Sequence, residues 1–216
     1  MPNPAVEDYI KNIYKLQHGS TAVTTSALAS TMRIADASVT DMAKKLAERG
    51  FVRYRRYRGV ALTPAGRRMA VRTIRRHRLW EMFLQRYLGF AWDEIHEQAE
   101  LLEHVTSEEL ERRLDALLGF PTADPHGDPI PDAGGMVPTL PVIALAHCGP
   151  GQSLRVSRVK DESPKLLKRA AAIGLVPGRR IAVIGVAHDG SLTTKIGRRR
   201  RLIRREIAAA VFVETL

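Results

Sequence analysis

Apolar residues in the first half of the chain recur every three or four positions, and in the last third they gather into short runs. Val6, Ile10, Ile13 and Tyr14 form one helical stripe, and Asn3-Pro4 ahead of them supplies an N-cap followed by proline at the first helical position. Leu28, Met32, Val39, Met42 and Leu46 serve as packing positions of a short helix, a turn and a longer helix. Asp36 is the expected cap of the longer helix and Gly50 its stop. FVRYRRYRGVALT alternates basic with apolar or aromatic residues around Gly59 and predicts a β-hairpin. Thr63-Pro64 opens a long helix to Leu88; two more follow over residues 92–105 and 107–118, the last behind a capping box of Thr106 and Glu109. The segment FPTADPHGDPIPDAGGMVPTLP is rich in Pro, Gly and Asp without periodicity, as a linker or surface loop would be. From residue 141 the runs SLRVSRV, RRIAVIGVA, SLTTKI and AAAVFVETL, interrupted by one helix at 164–173, predict a small β-barrel-like domain.

A chain of 216 residues with 44% hydrophobic content is long enough for two domains. It has no apolar run of membrane-spanning length and no signal pattern in MPNPAVEDYIKNIYKL, so a cytoplasmic protein is expected. The single cysteine, Cys148, excludes an internal disulfide and a Cys-rich zinc site; a small buried hydrophobe is its expected role. The net charge of +11 is unevenly spread. Residues 1–90 carry 17 Lys+Arg against 6 Asp+Glu, residues 91–140 carry 2 against 12, and residues 141–216 carry 15 against 5. A polyanion-binding module joined to a cation-binding one would have this distribution.

Helix, tight turn, helix and basic hairpin is the winged form of the helix-turn-helix, whose second helix enters the major groove of DNA. Ala35, Ala37, Ser38, Thr40, Asp41 and Lys44 lie at the start of that helix, with Thr25 in the helix before it. Small and hydroxyl side chains there allow close approach to base edges and phosphates. Arg53, Arg55, Arg56 and Arg58 of the hairpin suit phosphate contacts; the competing reading of RYRRYR is a solvated edge strand. GRRRRLIRR, from Gly197 to Arg205, could touch DNA phosphates too, but is read rather as the exposed face of a strand and its turn.

His77 and Glu81 are four apart, and His96, Glu100, Glu103 and His104 follow at 0, +4, +7 and +8, so each set shares a helical face. Imidazole and carboxylate stripes on neighbouring helices are how bundles bind divalent metals. A solvated acidic helix face is the alternative. His18, His126, His147 and His188 lie outside these helices and are expected on the surface or in loops, without a ligand role.

The order of winged helix, metal-spaced helices, proline-rich segment and small β-domain resembles the diphtheria toxin repressor family of metal-dependent regulators. The likeness is strongest in AVEDYIKNIYKL, in SVTDMAKKLAERGFV, in RRHRLWEMFL through HEQAELLEHVTSEELERRL, and in PHGDPIP. It implies a mainly α fold with a small β domain. The expected parts are a winged helix-turn-helix at 1–63, a helical dimerisation and metal-binding domain at 64–120, a Pro/Gly-rich linker at 121–140, and an SH3-like (FeoA-like) β domain at 141–216. It implies a primary metal site of Asp8, Glu100, Glu103 and His104, and a second site of His77, Glu81 and His96. Asp161 is the best match to a further ligand from the C-terminal domain, with Glu162 as the other choice; one usual ligand position there holds Arg158.

Iron-responsive members place Met and Cys where this chain has Asp8 and Glu100, and an oxygen-rich donor set favours Mn²⁺. The resemblance therefore implies a repressor that uses Mn²⁺ as co-repressor, binds a palindromic duplex operator as a homodimer, and controls manganese uptake and homeostasis. Fe²⁺ is the alternative metal, and Co²⁺, Zn²⁺ or Cd²⁺ are expected substitutes in vitro. Two-domain manganese regulators have a glutamate where this chain has Lys11, so their paired-metal arrangement is not expected. Without metal, the acidic groups are expected to repel and leave the first helix free to move. The rival classes are a DNA-binding protein with merely structural metals and a helical-bundle metalloenzyme. The second lacks support in the sequence, which has no pair of Glu-x-x-His motifs and no other catalytic set. Neither a membrane nor a small-molecule substrate is an expected partner.

Overall fold

The computed structural model describes residues 3–161 and 163–216. It divides into two compact units, one of residues 1–76, 103–105 and 131–137, the other of 77–102, 106–130 and 138–216.

The first unit begins with α1 (Pro4–Leu16), α2 (Thr25–Met32) and α3 (Asp36–Glu48), then β1 (Val52–Arg55) and β2 (Gly59–Leu62). Asn3 caps α1 by accepting from the Ala5 amide at 2.9 Å, as its sequence predicts. Asp36 is not the cap of α3. Ala35 holds that position without a side-chain bond, while the Asp36 carboxylate accepts from Ser26 Oγ at 3.1 Å. Val6, Ile10, Ile13, Leu28, Val39 and Leu46 are buried together with Val52 and Val60 of the hairpin, so one core holds the three helices and the wing.

The wing is fixed by backbone. Val23, in the loop before α2, exchanges two 2.8 Å hydrogen bonds with Val60. Gly59 makes this approach possible: its φ is +92°, and a Cβ there would stand 2.2 Å from the Val23 carbonyl oxygen. Gly59→Ala is therefore expected to cost about 1–3 kcal/mol of stability and to detach the wing from its anchor. Thermal unfolding measures the loss, and an unchanged Tm would refute the anchoring role.

In the second unit, α4 (Pro64–Leu88) from its His77 onward packs against α5 (Ile95–Glu103) and α6 (Glu108–Leu118) through Leu79, Trp80, Leu84, Ile95, Leu114 and Leu118. The expected capping box differs in detail. Ser107 caps α6, accepting from the Leu110 amide at 3.1 Å, and Glu109 instead pairs with Arg112 and Arg113 on the exposed side. Thr106 turns inward, where Trp80 Nε1 donates to its hydroxyl at 2.7 Å.

Residues 122–130 are not a linker. Ala123 bridges Pro129, and the Asp124 carboxylate accepts from the amides of His126 (2.8 Å) and Asp128 (3.0 Å), which lets a polar turn be buried. Gly127 closes the turn against Ser157, where a Cβ would meet the carbonyl oxygen at 2.0 Å.

The C-terminal part is an antiparallel six-stranded sheet in the order β3-β8-β4-β5-β6-β7. Its strands are β3 (Ile143–Ala144), β4 (Ser153–Val159), β5 (Arg180–Val186), β6 (Leu192–Ile196), β7 (Arg199–Ile203) and β8 (Val211–Thr215), with α7 (Pro164–Ile173) and α8 (Arg205–Ala210) between them. The first three residues of the expected last run, 208–210, are helical instead, because Ile207, Ala208 and Ala210 bury one face of α8 before β8 starts. Leu154, Val156, Leu167, Leu192, Val211 and Val213 fill this core. Cys148 is 5% exposed beside it and burial pushes its thiol up, so it packs as a hydrophobe. No helix among the described residues is long and apolar enough to cross a membrane.

Candidate metal centres and nucleic-acid interface

In the first unit, α1 and the end of α5 bring Asp8, Glu103 and His104 together. His104 Nε2 is 3.0 Å from Asp8 Oδ1 and 3.7 Å from Glu103 Oε1. Glu103 is fully buried. Glu100 precedes these residues by one turn of α5 and belongs to the other unit, where its carboxylate is 3.5 Å from His96 Nε2.

Two residues that the sequence did not assign to this centre change its electrostatics. Lys11, 2% exposed, places Nζ 2.5 Å from Glu103 Oε1, and the Glu7 carboxylate, 4% exposed, lies 2.6 Å from His104 Nδ1. An ammonium neutralises Glu103, and the two pairs hold α1 to the end of α5. Sequence could have suggested Lys11 only by its position three residues after Asp8, on the same helix face.

The second unit holds the other predicted set. His77 Nε2 is 3.1 Å from Glu81 Oε1 and 3.2 Å from His96 Nδ1, and His96 Nδ1 is 3.5 Å from Asp161 Oδ2. Offered one atom each, His77, Glu81, His96 and Asp161 converge within 4.8 Å. Glu162 lies outside the described residues. Arg158 donates to Asp128 at 2.8 Å instead of facing this cluster.

His126 is the main surprise, since it is fully buried where a surface position was expected. Its Nε2 donates to the Trp92 carbonyl at 2.8 Å, which in the neutral ring leaves the lone pair on Nδ1. That Nδ1 is 3.9 Å from Glu81 Oε1 and has no hydrogen-bond partner; Glu81 Oε2 has none either. Glu81, Asp124 and His126 form a third convergent group sharing Glu81 with the second. Burial alone raises the Glu81 carboxyl, but the charge and hydrogen bond of His77, the hydrogen bond of His96 and the charge of His126 hold it well below the usual range. Burial, then Glu81 and Asp128, push Asp124 well above its usual range. Orphaned lone pairs aimed at one point suit a cation. The other three histidines, His18, His147 and His188, are exposed.

The nucleic-acid side is as expected in exposure. Ala35, Ala37, Ser38, Asp41 and Lys44 are exposed at the start of α3, and Thr25 and Thr40 are half-buried. Lys44 is 3.5 Å from Asp41. Arg53, Arg55, Arg56 and Arg58 are all exposed on the wing, and Arg56 stacks its guanidinium 4.9 Å from the Tyr57 ring centre.

Comparison with known proteins agrees with this layout along nearly the whole chain. Residues 3–60 match the family model described as iron dependent repressor, N-terminal DNA binding domain. Residues 63–132 match the metal binding and dimerisation domain of the same repressors, and residues 143–215 match the FeoA domain. The iron-dependent repressor IdeR of Mycobacterium leprae is 29% identical over 221 residues, covering 96% of each chain. The transcriptional regulator MntR of Geobacillus kaustophilus is 34% identical over 142 residues, covering 59% of this chain and all of that one. A solved manganese-dependent transcriptional repressor in complex with manganese superposes with a TM-score of 0.89 at 37% identity, covering 98% of this chain and 100% of that one. Winged helix, metal-gathering helices and FeoA-type domain together make the chain a member of the diphtheria toxin repressor family of metal-dependent transcriptional repressors.

Proposed function

We propose that this repressor responds to Mn²⁺, with Asp8, Glu100, Glu103 and His104 as the activating site. The observation that carries this reading is the donor set: the assigned ligands are carboxylates and an imidazole, with neither thiolate nor thioether among them. The MntR relative and the manganese-bound repressor support it, and the IdeR relative keeps Fe²⁺ as the alternative. His77, Glu81, His96 and Asp161 form the supporting site, and His126 and Asp124 extend it around Glu81.

A bound divalent ion supplies the positive charge that joins these carboxylates and imidazoles. The protein's own groups do the rest. Asp8 reports the state of the centre to α1, whose Val6, Ile10 and Ile13 share a core with α3 and the wing. Selective binding to the DNA-competent arrangement then favours that arrangement. Exposed Tyr87, Leu88, Leu101, Leu110, Leu117 and Phe120 on the helical region supply an apolar surface for a homodimer. Such a dimer fits a palindromic operator with half-sites about one helical turn apart. Expected targets are genes of manganese uptake and homeostasis.

Mobility-shift titrations with Mn²⁺, Fe²⁺, Co²⁺ and Zn²⁺ against a chelator control test the reading. Mn²⁺ is expected to support binding, and equal binding in chelator would remove the sensing role. Asp8→Met with Glu100→Cys is expected to move activation toward Fe²⁺ or Co²⁺, since softer donors favour them. A double variant with the wild-type metal profile would overturn the argument from ligand hardness.

A further inference from the structure

We propose that the outer face of the C-terminal sheet, with its β7 edge, is a second polyanion-binding surface whose ligand is the phosphate backbone of duplex DNA. The inference rests on the DNA-binding role of the first unit and adds a contact surface to it. Arg198, Arg199, Arg200, Arg201, Arg204 and Arg205 occupy six of eight consecutive positions, and all but Arg201 are exposed. β7 is the last strand of the sheet.

The strand register shows how the charge is arranged. Leu192, Thr194, Ile196 and Ile203 point into the core, so Lys195 and its cross-strand partner Arg200 point outward. Lys195 also faces Ala182 of β5, and two residues back on the same face Arg180 stands opposite Arg155 of β4. Two like-charge pairs therefore sit directly opposite each other on one face, an arrangement that weakens a sheet. Arg155 has relief from Glu214 at 3.6 Å. Among the described residues, Arg180, Lys195 and the arginines from 198 to 201 form no ion pair.

Protection of an exposed edge explains charges on β7 but not their continuation across β6 and β5 to β4. A sheet that retains mutually repelling cations over several strands is explained by an anion that binds there. Arginine is the side chain suited to phosphate, since its planar fork donates in pairs. The outward neighbours on β5, β6 and β7 are aliphatic or small (Ala182, Ile184, Thr193 and Leu202), and Phe212 of β8 is already covered by the Arg158 guanidinium at 4.2 Å, so these strands offer no open aromatic platform for unstacked bases. That points to a duplex backbone. Once the winged helix holds DNA, a cationic face on the same chain meets phosphate at high effective concentration.

The test uses the full-length Mn²⁺-loaded protein and a fluorescent mixed-sequence duplex about four helical turns long. Binding is measured by anisotropy over a range of salt. Arg180→Gln, Lys195→Gln and Arg200→Gln combined are expected to lower affinity about tenfold or more at low salt and to reduce the slope of log K against log salt by roughly 2–3, about 0.9 per phosphate lost. Arg55→Gln with Arg56→Gln on the wing is the companion variant. If the wing variant weakens binding and the sheet variant keeps the wild-type slope and affinity, this inference fails alone. If neither changes binding, the DNA reading fails with it. Should the sheet variant bind duplex normally but lose binding to poly-L-glutamate, the face serves an acidic polypeptide and the proposal is overturned. Lys195→Glu, which sets opposite charges face to face and so supports the strand pair, gives the same reading where the triple variant does not fold.

Discussion

Glu103→Ala is expected to abolish metal-dependent DNA binding and to lower the unfolding free energy of the metal-free protein by about 3–5 kcal/mol. The two effects have separate causes. Binding is lost because Glu103 is an assigned ligand of the activating centre. Stability is lost because Lys11, 2% exposed, keeps its buried ammonium while losing the carboxylate 2.5 Å away. Lys11→Met with Glu103→Leu is expected to recover most of the stability, since a buried ion pair replaced by apolar groups of similar size is often neutral or better. It is not expected to recover the metal response. Urea unfolding in chelator, alongside a Mn²⁺ mobility shift, separates the two readouts. Wild-type stability of Glu103→Ala in chelator would show that the Lys11 pair holds nothing.

Lys11→Met alone distinguishes the ammonium from the metal. It leaves the Glu103 carboxylate buried without that ammonium, so the metal-free protein loses stability, and Mn²⁺ returns it. The rise in Tm on adding Mn²⁺ is then larger than in the wild type, because binding to the folded state is linked to stability. This makes Lys11 a resident cation that preforms part of the centre and competes with the ion for Glu103.

What was legible in the sequence was whatever has a period. The spacing of His77 with Glu81, and of His96 with Glu100, Glu103 and His104, predicts shared helix faces; α4 carries His77 and Glu81, and α5 carries His96, Glu100 and Glu103, with His104 in the turn that follows. The wing was legible because alternation around Gly59 has few other solutions. Asp124 and His126 were not, because a ligand in a loop has no periodicity to read. Proline, glycine and aspartate made residues 122–130 resemble a solvated linker, yet Asp124 itself accepts the amide bonds that let this turn be buried. Lys11 stands where two-domain manganese regulators have a glutamate, and its burial against Glu103 depends on residues 92 positions apart. The cap of α6 lies one residue beyond the Thr106 that the sequence suggests, because Thr106 and Ser107 offer the same hydroxyl and Trp80 takes the first.

The same buried turn leads to the second large effect, a pH dependence with opposite limbs in the metal-free protein. Glu81 is held well below the usual carboxylate range, so its contribution is complete above the unfolded value, about 4.3, and is lost as pH falls through its folded value. Asp124 is pushed the other way, chiefly by burial and then by Glu81 and Asp128. Its contribution is complete below the unfolded value, about 3.9, and is lost as pH rises through its raised folded value. Stability in chelator therefore peaks between the two limbs. Asp124→Asn keeps an oxygen for the amides of His126 and Asp128 and removes the ionisation, so the alkaline limb should flatten by about 1.4 kcal/mol for each unit of the Asp124 shift. Glu81→Gln should flatten the acid limb and also leave His77, His96 and His126 without the carboxylate they share. Adding Mn²⁺ should reverse the wild-type trend on the alkaline side, since its ligands bind best deprotonated. Urea midpoints across the pH range, with and without Mn²⁺, measure all of this. An Asp124→Asn profile that follows the wild type in chelator would mean that the buried turn carries its charge at no cost, and that Asp124 is not coupled to Glu81.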